Sequence, residues 1–347
     1  MSPNFSVDYN EAREKFLEAA RSAGARLDQL KIKARGARGE SLTIDIAILG
    51  DPNAKKVFLH TSGVHGVEGF AGSAVQIAAL DRKPKPIEST GLIFVHILNP
   101  YGMSWLRRVN EENVDLNRNF LEPDESYSGP DDSYALLDRI LNAPSSETWF
   151  WLQLFYKLSR VGFTALKKAI VQGQYDFPEG IFFGGRHLQE SAALYKAWLQ
   201  RNTPMAKTVV ALDVHTGLGP FAHETLFLHT NRVAPEISKE ITPLSDTIGY
   251  KVRGGMESLT SQVFAEASWI HFTQEFGTQS MLQVLRGLRQ ENLDFRSLGK
   301  SAGPSLSLKK LMSPDNPVWQ AAVVEKGLAT LFEMLAWLEA QSIPQST

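Results

Sequence analysis

The sequence predicts an α/β fold, a mixed and mostly parallel twisted sheet with helices on both faces. Strand-length apolar runs alternate with segments whose apolar residues recur at helical spacing, the pattern of a sheet covered on both sides. Polar residues with reactive side chains, His65, Asn99, His215 and Glu275, each stand where one of those runs stops. In such sheets ligands bind beyond the carboxyl ends of the strands, so these residues are expected to share a site.

The elements follow in order. Residues 9–23 carry a helical pattern, and residues 30–34 and 41–49 alternate as strands do, with the turn Gly36-Ala37-Arg38-Gly39 between them. Residues 56–60 form a short strand that runs into Thr61-Ser62-Gly63-Val64-His65-Gly66, and residues 72–80 form a helix. A further strand at 92–98 is closed by Asn99-Pro100-Tyr101-Gly102. Residues 208–214 and 268–274 repeat the arrangement of a buried strand ending in a polar residue. The least regular stretch, 121–180, starts as a polar loop and continues into an aromatic-rich helix. It is expected to be an insertion, over or beside the sheet, in a single catalytic domain spanning 1–347. Its residues 149–169 can pack inside the protomer, lid the pocket or form the interface of a homo-oligomer; exposure decides among these.

Composition bounds the partners. With 43% hydrophobic and 21% charged residues in 347, the chain suits a soluble protein with a substantial core. Lysine plus arginine (36) nearly balances aspartate plus glutamate (38), so nucleic acid and an anionic membrane are not expected partners. The absence of cysteine excludes disulfides, thiolate metal sites and cysteine nucleophiles. The first residues show neither a basic start nor an apolar core of a leader, and no apolar run approaches the roughly 20 residues of a membrane span. A cytoplasmic location is expected.

His65 and Glu68, three apart at the start of a helix, can point the same way. An imidazole and a carboxylate suit Zn²⁺, and a third ligand leaves one tetrahedral position for water. Gly63, Gly66 and Gly69 around the pair permit close backbone approach. His215 is the candidate third ligand, although a lone histidine at a strand end is more often a hydrogen-bonded core residue. Of the eight histidines, His60 and His96 lie inside strand patterns and are expected to be structural, while His223 and His229 flank the next strand with their roles open. Asn117 and Arg118 pair a neutral donor with a planar cationic fork suited to a carboxylate. The alternative is a loop salt-bridged to Glu111, Glu112 or Asp115. Glu275 offers a carboxylate able to take a proton from water and return it to a leaving amine, or an ordinary solvated strand end.

In this order, His65-x-x-Glu68, Asn99-Pro100-x-Gly102, Asp115-Leu116-Asn117-Arg118-Asn119-Phe120, a strand-ending His215 and a strand-ending Glu275 resemble the zinc carboxypeptidase superfamily. That superfamily also holds the aspartoacylase-type deacylases. The resemblance covers roughly residues 40–120 and 205–280, and is nearest in flavour to a bacterial branch known as a domain of unknown function. It implies a zinc carboxypeptidase-like, phosphorylase/hydrolase-like fold and one zinc per chain on His65, Glu68 and His215. It also implies Arg108 at the scissile carbonyl, with Arg107 the less favoured choice, Asn117 and Arg118 on the substrate carboxylate, and Glu275 as general base and acid. Tyr250, placed before Gly254-Gly255, matches a substrate-capping tyrosine. Glu257 matches the specificity position, where an acid favours Lys or Arg in the substrate. The implied activity is a carboxypeptidase for small peptides, with an N-acyl amino acid deacylase or a metal-binding pseudoenzyme as alternatives. The stretch between Arg118 and His215 is longer than in carboxypeptidases.

Overall fold

The computed structural model describes residues 2–87, 89–129, 132–163, 172–231, 241–242 and 252–342. Eight strands form one sheet: β1 (Arg26–Arg35), β2 (Ser41–Gly50), β3 (Lys56–Ser62), β4 (Thr90–His96), β5 (Thr208–Gly217), β6 (Glu224–Thr230), β7 (Ile241–Thr242) and β8 (Ser268–Gly277). Their order is β1-β2-β4-β3-β5-β8-β6-β7. The centre, β4-β3-β5-β8, is parallel, β1, β2 and β6 are joined antiparallel, and β7 pairs parallel to β6. The mixed, mostly parallel sheet of the sequence analysis is therefore the fold.

The central strands are buried at nearly every position because both of their faces are covered. Along β2, Ile44, Ile46 and Ile48 join one hydrophobic cluster while Ala47 and Leu49 join another; along β3, Val57 and Leu59 part from Phe58 in the same way. This is the period-two alternation of a strand with two buried sides. One face carries the helices Tyr9–Ser22, Gly69–Asp81 and Pro317–Ala340, through Phe16, Ile77, Leu80, Leu331 and Met334. The other carries Glu190–Asn202 and Met256–Val263, through Trp198, Leu199, Met256 and Leu259. Each fully buried side chain of this size contributes about 1.5–3 kcal/mol relative to exposure.

Helix boundaries follow local chemistry. Asn316 caps Pro317–Ala340 by accepting from the backbone N–H groups of Val318 (2.9 Å) and Trp319 (3.1 Å), with proline at the first position, where its missing donor costs nothing. Met281–Leu298 begins with a Ser280/Gln283 capping box. Residues 121–180 supply the helices Asp132–Asn142 and Glu147–Val161, whose Tyr134, Leu137, Leu141, Phe150 and Leu154 pack with Val284, Leu285 and Leu288. Trp149, Leu152, Phe155 and Tyr156 of the second helix are exposed. Among the described residues no helix is long and apolar enough to cross a membrane.

Several boundaries differ from expectation. The helix expected at 72–80 begins at Gly69, after a 3-10 turn at Gly66–Glu68. β5 and β8 run on to Gly217 and Gly277, so His215 and Glu275 sit two residues inside their strands. The strand at 92–98 ends at His96, and Asn99 instead caps Pro100–Ser104 by accepting from Gly102 N–H (2.8 Å).

Candidate metal centre

The glycines upstream of Glu68 bring two loops together. Gly63 holds a left-handed conformation (φ 69°), and a Cβ at Gly66 would overlap the Gly102 backbone. That approach lets Gly66 and Val67 donate their N–H groups to the carbonyls of Arg108 (3.1 Å) and Arg107 (2.9 Å). Asn99 completes the clasp, its Nδ2 donating to the Arg108 carbonyl at 3.2 Å. The His65–Glu68 turn and the arginine pair are thus one rigid unit.

His65, Glu68 and His215 are all buried, and each offers a ligand atom within 4.8 Å of the others. His65 Nδ1 lies 3.1 Å from Glu68 Oε1, and His215 Nδ1 lies 3.2 Å from His65 Nδ1 and 3.5 Å from Glu68 Oε2. The far nitrogens are held by carboxylates: His65 Nε2 to Asp115 Oδ1 at 3.1 Å, and His215 Nε2 to Asp213 Oδ2 at 2.7 Å. An ionised carboxylate only accepts, so each Nε2 keeps its proton and each Nδ1 presents a lone pair. Two lone pairs and a carboxylate facing one another repel unless a cation or a proton stands among them. Carboxylate-backed histidines with converging nitrogens are the donor set of a nitrogen- and oxygen-ligated divalent metal. The residues present fit such an ion.

Charges around the triad are shifted accordingly. Burial opposes ionisation of Glu68, but His65, His215 and Arg108 outweigh it and hold the carboxyl well below its usual range. Burial also opposes the charge on His215, yet Asp213 and Glu68 raise its pKa well above the ordinary value. A proton held among these groups competes with an incoming metal for the same place. Metal affinity should rise with pH, up to about tenfold per unit for one displaced proton. Competition against a chromophoric chelator from about pH 6 to about pH 8 measures this, and a flat profile would contradict it.

Arg108 spans the site. Its Nη1 donates to Glu68 Oε1 (2.9 Å) and its Nε to Asp115 Oδ2 (3.0 Å). Arg107 turns away, buried against Glu291 and stacked on Phe295 with its guanidinium carbon 3.6 Å from the ring centre. The adjacent arginines thus have separate places, Arg108 in the pocket and Arg107 in the packing of Met281–Leu298. Glu275 lies beside His215 in the parallel register of β5 and β8. Its Oε1 accepts from Leu218 N–H at 2.8 Å. Burial and then the charge of Glu68 push its carboxyl up to about 7, against the pull of His215 and Arg108.

These groups line one cavity of about 130 Å³, together with Asn117, Arg118 and Glu257. Asn117 Oδ1 accepts from Met256 N–H (3.0 Å), so its amide oxygen is engaged with the backbone. Arg118 is buried, with its Nη1 on the Asn117 carbonyl (2.7 Å). Burial lowers its pKa, and Arg108 adds to that while Asp115 opposes it. The Glu111, Glu112 or Asp115 bridge weighed for the Asn117-Arg118 loop is taken up, in the case of Asp115, by Arg108 and His65. Glu257 is buried, its Oε1 without a hydrogen-bond partner among the described residues. Tyr250 lies outside the described residues.

His60 and His96 are buried away from the cavity, bonded to Gln76 (3.2 Å) and Ser73 (2.9 Å), with burial pushing both pKa values down to about 3. His229 lines the cavity and packs edge-on against His271, whereas His223 does not line it. The roles of Asp115 and Asp213 behind the two histidines are not among the sequence expectations. Asp213 could have been found, because residues two apart on a strand share a face, which sets it beside His215.

The family described as Protein of unknown function (DUF2817) matches residues 5–326. No curated protein matches the chain. Among solved structures, carboxypeptidase A from Helicoverpa armigera superposes with a TM-score of 0.50 at 14% identity, over 95% of this chain and 73% of that one. A candidate carboxypeptidase from Burkholderia mallei gives 0.47 at 14% identity, over 96% of this chain and 68% of that one. A candidate succinylglutamate desuccinylase/aspartoacylase from Shewanella frigidimarina gives 0.40 at 15% identity, over 93% and 74% respectively.

Proposed function

The chain belongs to the DUF2817 family, and from that premise we propose that it is a zinc-dependent hydrolase of an amide bond next to a free carboxylate, a carboxypeptidase acting on small peptides. The observation that carries this reading is the cluster of Nδ1 of His65, Nδ1 of His215 and the Glu68 carboxylate, opening on a cavity that also holds Glu275, Arg108 and Arg118. Zinc bound there supplies a Lewis acid able to polarise a carbonyl and to make water acidic enough to react near neutral pH. The rest is the work of this chain's own side chains.

Water adds to the carbonyl carbon, the C–N bond breaks, and the products are a carboxylic acid and an amine. Glu275 takes the proton of the attacking water on the carboxylate whose Oε1 is steadied by Leu218 N–H, then passes it to the leaving nitrogen. Arg108, one hydrogen bond from Glu68, faces the developing negative charge on the carbonyl oxygen. A single well-placed donor of that kind is worth roughly 3–4 kcal/mol. Asp115 and Asp213 keep both histidines in the tautomer that turns Nδ1 inward.

Arg118 and Asn117 hold the substrate carboxylate and fix the register, so that only the neighbouring amide is presented. Arg118→Ala should lower kcat/KM for substrates with a free carboxylate about 10- to 100-fold, the range of a charge-assisted hydrogen bond of about 1.5–3 kcal/mol. Substrates blocked as amides should change little, and an equal loss for both would remove Arg118 from the clamp.

Glu257 sets a preference for lysine or arginine at the terminal position, since its buried Oε1 lacks a partner that a cation would provide. Glu257→Gln should reduce the preference for lysine over leucine at that position, measured as a ratio of kcat/KM values. An unchanged ratio would contradict the assignment. A panel of dipeptides and N-acyl amino acids tests the activity as a whole: turnover of dipeptides supports the peptidase, and turnover of acyl amino acids alone points to a deacylase with the same centre. Zinc binding without any turnover would overturn the reading.

A further inference from the structure

Resting on that reading, we propose that the group on the acyl side of the scissile amide is apolar, a medium-length acyl chain or an apolar residue, and that Met281–Leu298 with Phe182, Leu218 and Met312 forms its binding wall. The cavity has two unlike sides. Around Arg118 the neighbours are Asn117, Met256 and Glu257, and the adjoining core is the cluster of Leu116, Met256 and Leu259. Around Arg108 and Glu275 the cavity is lined from a different cluster, that of Phe182, Val284, Leu285, Leu288 and Met312.

Three contacts locate this second wall. The Arg108 guanidinium sits 5.9 Å from the centre of the Phe182 ring. Phe182 and Leu288 line a small void together with Arg108. A Cβ placed on Gly217 would lie 3.1 Å from Met312 Cε and 3.7 Å from Glu275 Oε1, so the methionine tip and the carboxylate flank the same glycine. The arginine and the base thus both border apolar side chains.

Met281–Leu298 brings Met281, Val284, Leu285 and Leu288 to the cavity and no charged side chain. The helix's two acids lie further along it, Glu291 tied to Arg107 and Asp294 accepting from Gln290. An acyl group ending in a carboxylate would lose its hydration against these apolar side chains, and Arg108, the cation that borders them, is already bonded to Glu68 and Asp115. An acetyl group would leave most of the apolar lining wet. A chain of several methylenes would cover it, and each methylene moved from water to such a surface is worth roughly fourfold in binding.

The test uses the full-length, zinc-loaded protein and a series of Nα-acyl-lysines carrying acetyl, butanoyl, hexanoyl and succinyl groups. The expected result is a kcat/KM that climbs from acetyl to hexanoyl, by roughly fourfold per methylene at most, with succinyl the poorest. Leu285→Phe, which fills the wall, should reduce the hexanoyl-to-acetyl ratio by roughly tenfold, the worth of about two methylenes. Leu218→Asn, at a position 41% exposed on the rim, should move the ratio the same way. Because the ratio is internal to each preparation, partial unfolding or metal loss does not disturb it. A flat series, or succinyl leading, overturns the proposal while leaving the hydrolase standing. If no acyl-lysine is cut, the metal-free protein decides: greater thermal stabilisation by hexanoyl-lysine than by acetyl-lysine, lost in Leu285→Phe, upholds the wall, and equal stabilisation overturns it.

Discussion

Glu275→Gln should retain its metal and lose about 10²- to 10⁴-fold in kcat, the usual contribution of a positioned general acid–base. The substitution is nearly isosteric, and the amide oxygen can still accept from Leu218 N–H. What disappears is the ability to take a proton. Stability should hold, because a buried carboxyl already raised to about 7 by its burial and by Glu68 loses an unfavourable charge when it becomes an amide. Three measurements on one preparation, namely zinc content, thermal midpoint and single-turnover rate, separate these effects. Near-wild-type turnover would take Glu275 out of the base role, whatever the metal content.

His215→Ala should bring zinc from about one per chain to near none by elemental analysis, and abolish turnover with it. Removing one of three protein ligands leaves too few donors for a stable site. The variant should also be less stable without metal, since Asp213 Oδ2 loses its partner and Asp213 Oδ1 has none among the described residues. An unsatisfied buried acceptor costs about 1–3 kcal/mol. A second replacement, Asp213→Leu, removes that orphan, so the double variant should regain stability without regaining zinc. Full zinc retention in His215→Ala would contradict the ligand assignment. Wild-type protein that takes up no zinc on addition would sink the hydrolase mechanism altogether.

The sheet was legible because its strands are buried on both faces, which writes a continuous apolar run into Val57–Leu59 and Val209–Leu212. The clustering of His65, Glu68 and His215 agrees with the expected placing of both histidines at or beyond strand ends, with the three-residue spacing of His65 and Glu68, and with the family resemblance that joins the three. Their supporting groups were harder to read. Asp115 sits within the same motif as Asn117 and Arg118, yet its bonds to His65 and Arg108 depend on a turn at residues 115–118 that no periodicity reveals. Arg107 and Arg108 are adjacent and chemically identical, and only the packing of Met281–Leu298 over Arg107 separates them. That helix reads as an ordinary amphipathic segment. Its apolar face could belong to any core, and its place beside the cavity follows from the tertiary arrangement alone.

The pairing of His215 with Glu275 in adjacent parallel strands has an evolutionary consequence. Neighbouring strands lie about 4.8 Å apart wherever such sheets form, so the interval between these two residues is fixed by the backbone ladder and owes nothing to loop conformation. Insertions, deletions and wholesale rewriting of the surrounding loops can change which molecules enter without disturbing that interval. Selection could therefore diversify the substrates of this scaffold at little risk to its chemistry. The same ladder makes a one-residue slip between β5 and β8 ruinous, because it would turn one of the pair to the opposite face.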